Sequence, residues 1–157
     1  MQEYHLTTKK LILVVNDEVN LQLTLSLILT RAGYQVATVK NNHDSILNAL
    51  KSNISLIVLD FDMEDNRGLA LLSKIQRNHA ELPVIVLTQY SSHETINYPR
   101  QCEKCKFIEK PIDPGYILEI VMKMLGDPPD PILLQQFKLN LLQDGAKQPG
   151  DIRNPAP

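Results

Sequence analysis

The stretch that decides the fold is residues 55–68, Ser-Leu-Ile-Val-Leu-Asp-Phe-Asp-Met-Glu-Asp-Asn-Arg-Gly. Residues 56–59 form an apolar run of the kind found in strands buried on both faces of a parallel sheet. The run ends at Asp60, and a helical apolar pattern follows Gly68. Open α/β sheets bind ligands at the carboxyl ends of their strands, so Asp60 lies where phosphate or metal chemistry takes place. The alternative is that Asp60 only ends the strand or caps a turn.

The rest of the chain alternates strand-like and helix-like segments. Strands are predicted over residues 11–15, 34–39, 56–59, 84–88 and 107–108. Helices are predicted over residues 19–32, 42–53, 67–78 and 113–125, with only a short helix between 89 and 106. Residues 19–32 also fit a strand, because leucines alternate with polar residues, but the length and Gly33 as a C-terminal stop favour a helix. Right-handed β-α repeats predict a parallel sheet with helices on both faces.

The composition is that of an ordinary globular protein. A chain of 157 residues is long enough to bury a core without disulfides or metals. The net charge of −2 gives no indication of a nucleic-acid binder. No apolar run suits a signal peptide or a membrane span, so we expect a cytoplasmic protein without membrane contact. The two cysteines are expected to be reduced thiols.

Polar side chains follow four of the predicted strands, at the point where each strand ends. Because the carboxyl ends of parallel strands share one edge of a sheet, these side chains are expected to converge. Taken singly, each has an ordinary explanation, such as a surface lysine, a strand-ending threonine or an acid at a helix N-terminus. In chain order they are Asn16, Asp17, Glu18, Asp60, Thr88 and Lys110.

With these groups at the ends of the predicted strands, residues 9–126 resemble the receiver domains of two-component response regulators. The resemblance implies a flavodoxin-like, doubly wound α/β fold with five parallel strands in the order 2-1-3-4-5 and helices on both faces. The positions that match are Asn16-Asp17-Glu18, Asp60 with Met63 and Gly68, Thr88, Phe107 and the pair Lys110-Pro111.

The resemblance implies that Asp60 accepts a phosphoryl group from the phosphohistidine of a sensor histidine kinase or phosphotransfer protein. It also implies a Mg²⁺ ion held by Asp17, Asp60 and the backbone carbonyl of Asp62, with waters completing an octahedron. Asn16 or Glu18 would reach that ion through water.

Three further residues take roles by the same resemblance. Lys110 would place a positive charge on a phosphoryl oxygen. The Thr88 hydroxyl would turn toward the acylphosphate, and Phe107 would swing inward as the second part of the switch. The output would be contact with an unknown downstream protein, and a homodimer is one option. No nucleic acid is expected as a partner, and no enzymatic activity beyond self-phosphorylation and self-dephosphorylation.

Several positions depart from the receiver pattern. Asn16 stands where an acid is usual, Glu64 replaces a proline and Gln89 replaces a small residue. Asp62 and Tyr90 stand two residues beyond Asp60 and Thr88, where family members tune phosphorylation and hydrolysis. These departures leave open a degenerate receiver that is not phosphorylated and acts as a binding module.

A different class of protein also fits part of the pattern. Residues 59–62 look like the first motif of haloacid-dehalogenase-type phosphatases, in which the first aspartate is the nucleophile and the second the acid/base. Thr88 and Lys110 fit the next two motifs. Against this, Glu64 stands where that family prefers a small hydroxyl or aliphatic residue, and no acidic strand end follows Lys110. Turnover of a phosphate ester at Asp60 would distinguish the two.

The remaining features lie toward the C-terminus. Cys102 and Cys105 form a C-x-x-C motif, for which His93 is the nearest further metal ligand; two thiols without a metal are the simpler interpretation. Residues 127–157 are expected to form a Pro-rich linker, a short helix over 132–143 and a disordered tail. That helix would bind a partner or second subunit, or pack back on its own domain. With no output domain visible, the chain is interpreted as a stand-alone receiver unless it is a fragment.

Overall fold

The computed structural model describes residues 9–40, 43–62, 67–89 and 103–143. Its strands are β1 (Leu11–Val15), β2 (Gln35–Val39), β3 (Ile54–Asp60), β4 (Val84–Thr88) and β5 (Cys105–Glu109). Its helices are α1 (Val19–Arg31), α2 (His43–Leu50), α3 (Arg67–Asn78), α4 (Pro114–Met124) and α5 (Pro131–Gln143). The strands form one parallel sheet in the order β2-β1-β3-β4-β5, which confirms the predicted flavodoxin-like topology.

Two helical layers explain why the strands are continuously apolar. On β1, Ile12 and Val14 pack in the layer that contains α1 and α4, while Leu13 and Val15 pack in the layer that contains α2 and α3. Successive side chains of a strand point to opposite faces, so a sheet covered on both faces needs apolar residues at every position. The same division runs through β3 and β4.

The ambiguous segment 19–32 is the helix α1, and its leucines lie on two different faces. Leu25 and Leu29 are fully buried against the sheet. Leu23 and Leu27 are more than half exposed, at 63% and 53%, and Val19 lies on the same outer stripe at 54%. The alternation of leucine with polar residues therefore comes from one buried and one exposed stripe on a helix, not from a strand.

Some boundaries differ from the predictions. β5 spans five residues, where the sequence predicts two, and α2 ends at Leu50, three residues earlier than expected. The extra residues of β5 belong to the strand because they pair in parallel with the buried strand β4. The pattern of apolar residues alone does not reveal this pairing. Asn42 and most of the irregular stretch between 89 and 106 lie outside the described residues.

The C-terminal part packs back onto the domain. Asp127 accepts hydrogen bonds from Lys10 Nζ at 2.6 Å and from the Tyr34 hydroxyl at 2.7 Å, which ties the end of α4 to the start of β1 and to β2. Asp130 then caps α5, because its Oδ1 accepts from two backbone amides of the first turn. Phe137 of α5 is buried in the layer that contains α1 and α4.

Cys105 is disulfide-bonded, so the prediction of reduced thiols is wrong for this residue. The chain has one other cysteine, Cys102, which lies outside the described residues.

None of the described helices is long and apolar enough to cross a membrane.

Candidate functional site

Buried polar side chains mark one edge of the sheet. Among the described residues, three polar side chains are buried: Asn16, Asp60 and Thr88. Asp60 and Thr88 end β3 and β4, and Asn16 directly follows β1. Burying polar groups is unfavourable unless they are paired, so their collection at the carboxyl edge indicates a built site.

Asp60 is held between a lysine and a backbone amide. Lys110 Nζ lies 2.9 Å from Asp60 Oδ1, and the amide of Asp62 donates to the same oxygen at 3.0 Å. The side chains of Asp60 and Lys110 are only 9% and 14% exposed. A charge-assisted hydrogen bond in so little solvent neutralises a carboxylate that would otherwise be costly to bury. The predicted convergence of the β3 and β5 ends is therefore present in the structure.

The contacts of the Asp62 side chain are a part of the site that the sequence does not predict. Its Oδ1 accepts from the Thr88 hydroxyl at 3.0 Å, and its Oδ2 accepts from the backbone amide of Gln89 at 2.6 Å. Lys110 Nζ lies 3.4 Å from the same Oδ2. From the sequence, Asp62 has a role through its backbone carbonyl and stands at a position where family members tune phosphorylation and hydrolysis, but no contact of its side chain is predicted. The signal that could have found its side chain is the spacing Asp-x-Asp, because residues i and i+2 of an extended segment point to the same side.

The turn after β1 contributes polar groups of mixed accessibility. Asn16 Oδ1 accepts from the Glu18 amide at 2.8 Å, while Asn16 Nδ2 is buried without a hydrogen-bond partner among the described residues. Asp17 and Glu18 are exposed. The Asn16 oxygen keeps one lone pair beside its contact with Glu18, and its amide nitrogen adds a buried donor at the edge of the site, where a carboxylate would offer only acceptors.

The oxygen atoms implied as Mg²⁺ ligands are chemically suitable for that ion. Carboxylates of Asp17 and Asp60 with the carbonyl of Asp62 make a hard, all-oxygen donor set. Within the described part of the chain, no group of three or more His, Cys, Asp or Glu side chains is arranged to hold a metal. The implied ligand set contains only two such side chains, together with one backbone carbonyl.

Gly68 brings the start of α3 against the backbone that carries Asp60. A Cβ atom at this position would lie 2.7 Å from the carbonyl oxygen of Phe61 and 3.1 Å from that of Asp60. Contacts so short require the backbone to shift. The glycine therefore allows a close approach between α3 and the loop after β3.

Phe107 lies on the opposite side of β5 from the buried Ile108. It is half-buried in the layer of α2 and α3 and packs edge-to-face on Phe61, with ring centroids 6.3 Å apart and an interplanar angle of 69°. Phe61 directly follows Asp60, so this ring pair connects the β3 loop to the strand that leads to Lys110. Four further positions singled out from the sequence lie outside the described residues, namely Met63, Glu64, Tyr90 and His93.

Comparison with known proteins gives the class that this fold and site define. Residues 12–122, more than two thirds of the chain, match the response regulator receiver domain. The chain belongs to the family of response regulator receiver domains. This family consists of receiver modules and is not a family of catalytic enzymes, so the phosphatase interpretation is set aside.

Individual relatives agree with the family. The transcriptional regulatory protein ZraR of Salmonella typhimurium is 29% identical over 115 residues, which are 73% of this chain and 26% of ZraR. The chain thus spans about a quarter of the length of that relative. A CheY-like receiver domain protein from Methanospirillum hungatei is 25% identical with a TM-score of 0.67, over 76% of this chain and 95% of that one. The response regulator TrrA of Thermotoga maritima, solved in complex with Mg²⁺-BeF, is 27% identical with a TM-score of 0.64, over 73% and 98%.

Proposed function

We propose that this chain is a phosphoacceptor receiver of a two-component phosphorelay. An oxygen of the Asp60 carboxylate attacks the phosphorus of a phosphohistidine on a sensor kinase or phosphotransfer protein. The phosphorus–nitrogen bond breaks, its electron pair stays on the imidazole, and Asp60 becomes an acylphosphate. The observation that carries this proposal is the buried Asp60 carboxylate with Lys110 Nζ at 2.9 Å.

The groups around Asp60 suit the charge that the reaction brings in. The Lys110 ammonium would neutralise charge on a phosphoryl oxygen. The Thr88 hydroxyl and the backbone amide of Gln89 are hydrogen-bond donors that both point to the Asp62 carboxylate, next to Asp60. Preorganised donors of this kind stabilise developing negative charge best where water is scarce. Thr88 and Phe107 would form the switch, and its output is a shift between two conformations.

Asp17, Asp60 and the backbone carbonyl of Asp62 would hold a Mg²⁺ ion, with Asn16 or Glu18 reaching it through water. When bound, the ion would neutralise charge on the phosphoryl oxygens. The solved relative in complex with Mg²⁺-BeF supports this assignment. The neutral Asn16 would weaken the attraction for the ion compared with an acid at that position.

We assign the output to protein–protein contact with a downstream target, in a cytoplasmic setting, and a homodimer is one form that such contact could take. The expectation of no nucleic-acid partner concerns this chain alone and does not exclude a DNA-binding output, because the relative ZraR is by name a transcriptional regulator and is much longer than this chain. The receiver domain would occupy residues 9–126 and its C-terminal extension residues 127–157.

The test of this function is intact mass after incubation with Mg²⁺ and phosphoramidate, followed by a phosphorylated histidine phosphotransfer domain. Wild type is expected to gain one phosphoryl group, and Asp60→Asn none. A matched control is Glu119→Gln, which removes an exposed carboxylate from the middle of α4 and should leave uptake unchanged. Failure of wild type with both donors would favour the degenerate receiver, an alternative prompted by the neutral Asn16 and by the contacts of Asp62.

A further inference from the structure

We propose that Cys105 belongs to a reversible redox site, a disulfide that small anionic thiols such as glutathione open and that the oxidised form of the same thiol closes again. Cys105 is the first residue of β5 and so lies at the amino edge of the sheet, whereas Asp60 lies at the carboxyl edge. The inference goes beyond the proposed phosphoacceptor function and does not depend on the chemistry at Asp60.

The covalent partner of Cys105 follows from the cysteine content of the chain. Cys105 is disulfide-bonded and the chain has two cysteines, so a bond within the chain joins it to Cys102 across the spacing C-x-x-C. A disulfide stabilises a fold mainly by closing a loop in the unfolded chain, and this effect grows with the length of the loop. A loop with only Glu103 and Lys104 between the cysteines is therefore a weak structural cross-link.

The spacing and the cellular setting both favour a redox role over a structural one. C-x-x-C is the spacing found in thiol–disulfide oxidoreductases, where one of the two thiols is readily converted to a thiolate. In a cytoplasmic setting, which we proposed above, disulfides are usually transient, catalytic or redox-sensing. We therefore expect this bond to respond to the thiol content of its surroundings.

A cavity with an excess of positive charge gives access to Cys105. It has a volume of about 430 Å³ and lies between the start of β5 and the C-terminal end of α4. Lys104 is paired with the Glu81 carboxylate at 2.6 Å, which leaves two lysines against one acid. Such an excess attracts an anionic thiol and stabilises the thiolate that forms when the disulfide opens. The charged residues that line the cavity are all exposed, namely Glu103, Lys104, Lys106 and Lys123.

The exchange proceeds in two steps. The thiolate of one glutathione attacks Cys105 Sγ, the bond between the cysteine sulfurs breaks, and its electron pair stays on the Cys102 sulfur, which takes up a proton. A second glutathione thiolate attacks the sulfur of the first glutathione, and Cys105 leaves as a thiolate that is then protonated. Two glutathione molecules are oxidised to one glutathione disulfide while the protein disulfide is reduced to two thiols. Gln76 Nε2 lies 3.7 Å from Cys105 Sγ, and its N–H would stabilise the departing thiolate.

The residues between the cysteines are attached to the start of β4. The Val84 amide donates to the Lys104 carbonyl at 3.0 Å, and Lys104 Nζ lies 2.6 Å from the Glu81 carboxylate. In the described sheet, β5 is an edge strand next to β4. The end of an edge strand opens locally more easily than the centre of a sheet. Loss of the covalent restraint at Cys105 should therefore loosen the contact between Lys104 and Val84.

The first test equilibrates the full chain with glutathione and glutathione disulfide at a series of ratios, alkylates free thiols and counts them by intact mass. Two thiols should appear together as the proportion of reduced glutathione rises, and excess glutathione disulfide should close the bond again. Cys102→Ser, incubated with glutathione disulfide, should gain one glutathione on Cys105. A bond that joins two chains, or one that glutathione neither opens nor allows to close again, would overturn the inference.

The choice of an anionic thiol is tested by the rate of reduction. The double substitution Lys106→Gln and Lys123→Gln should slow opening by glutathione about threefold or more at low salt, but opening by uncharged 2-mercaptoethanol less than about twofold. Lys51→Gln, which removes an exposed lysine just beyond α2, should leave both rates unchanged. Equal slowing with the two reductants would overturn the assignment of an anionic thiol.

Amide hydrogen exchange tests the structural consequence. Reduction should raise the exchange rate of the Val84 amide by about tenfold through local opening. The Phe61 amide, which donates to the Leu87 carbonyl at 2.8 Å near the other end of β4, should be unaffected. An unchanged rate at Val84 would overturn the coupling of the bond to the sheet. Asp60→Asn should show the same redox behaviour as wild type, so a failure of the proposed phosphoacceptor function would leave this inference intact.

Discussion

Lys110 and Asp60 are fifty residues apart in the chain, and their charged atoms lie 2.9 Å apart at the carboxyl edge of the sheet. The two strands that end beside them, β5 and β3, are separated by β4, so the lysine crosses the end of that strand to reach the carboxylate. Little solvent reaches either side chain. This pair is the electrostatic centre of the site.

Removing the lysine charge should impair the site and destabilise the fold. Lys110→Gln is expected to lower the rate of phosphoryl uptake by at least about tenfold, because a charge-assisted hydrogen bond is lost. It should also lower the free energy of unfolding at neutral pH by about 1–3 kcal/mol, because the buried Asp60 loses its cation. Lys106→Gln on β5, the strand that leads to Lys110, is the control, since Lys106 is exposed. Equal effects of the two substitutions in urea unfolding would contradict this account.

Gly68→Ala should distort the loop that follows β3. The added methyl group would lie 2.7 Å from the Phe61 carbonyl oxygen, which is backbone and cannot rotate away. We expect a loss of about 1–3 kcal/mol in the free energy of unfolding, as for other overpacked sites. Phosphoryl uptake by the folded fraction should fall as well, because the shifted backbone carries Asp60. Wild-type stability and uptake in this variant would show that α3 does not constrain the site.

The C-terminal helix α5 should contribute measurably to stability through Phe137. This side chain is buried against α1 and α4, whereas Ile132 on the same helix is 71% exposed. Phe137→Ala is therefore expected to lower the free energy of unfolding by about 2–4 kcal/mol through loss of burial and a residual cavity. Ile132→Ala should change it by less than about 0.5 kcal/mol. Similar values for both variants would mean that α5 is not part of the core.

Asp127 should make stability depend on acid pH. Burial raises the pKa of this carboxyl, but hydrogen bonds from Lys10 and Tyr34 lower it by more, so the net shift is below the ordinary value of 3.8. A carboxyl with a lowered pKa in the folded state contributes stability above the unfolded pKa and loses it as the pH falls through the folded pKa. Acid should therefore destabilise wild type more steeply than Asp127→Asn.

The check for Asp127 is urea unfolding of both proteins at a series of pH values below neutrality. Only the difference between them is interpreted, because all other carboxyl groups titrate in both. The contribution is small, since the Asp127 side chain is 29% exposed and solvent screens its pair with Lys10. Parallel curves would show that the contacts of Asp127 with Lys10 and Tyr34 have no net effect on stability.

Burial raises the pKa of the Tyr34 hydroxyl, and its hydrogen bond to the Asp127 carboxylate raises it further.

The sheet could be predicted from sequence because burial on both faces leaves an apolar residue at every position of a strand. β1 and β4 match the predicted spans. The segment 19–32 was ambiguous because the exposed stripe of α1 is itself apolar, so that hydrophobicity alone did not separate inside from outside. Burial of Phe137 could not be told from docking on a partner, because both use the same amphipathic pattern.

Only part of the site could be predicted from the sequence, because some of its contacts depend on loops and not on strands. Its strand-end groups follow from topology, which is why Asp60 and Lys110 were expected to meet. The roles of the Asp62 side chain and of the Gln89 amide depend on the path of the loops, which strand patterns do not determine. Gly68 was recognised by position alone, and its physical reason needed the backbone of Phe61 beside it.

The central claim is that Asp60 carries the phosphoryl group, and chemical trapping tests it most directly. The protein is incubated with Mg²⁺ and a phosphorylated histidine phosphotransfer domain, and the acylphosphate is reduced with borohydride, which converts a phosphorylated aspartate to homoserine. Peptide mass spectrometry then locates the converted residue. Homoserine is expected at position 60 alone, and none in Asp60→Asn. Conversion at Asp17 or Asp62 instead, or a converted residue that persists in Asp60→Asn, would contradict it.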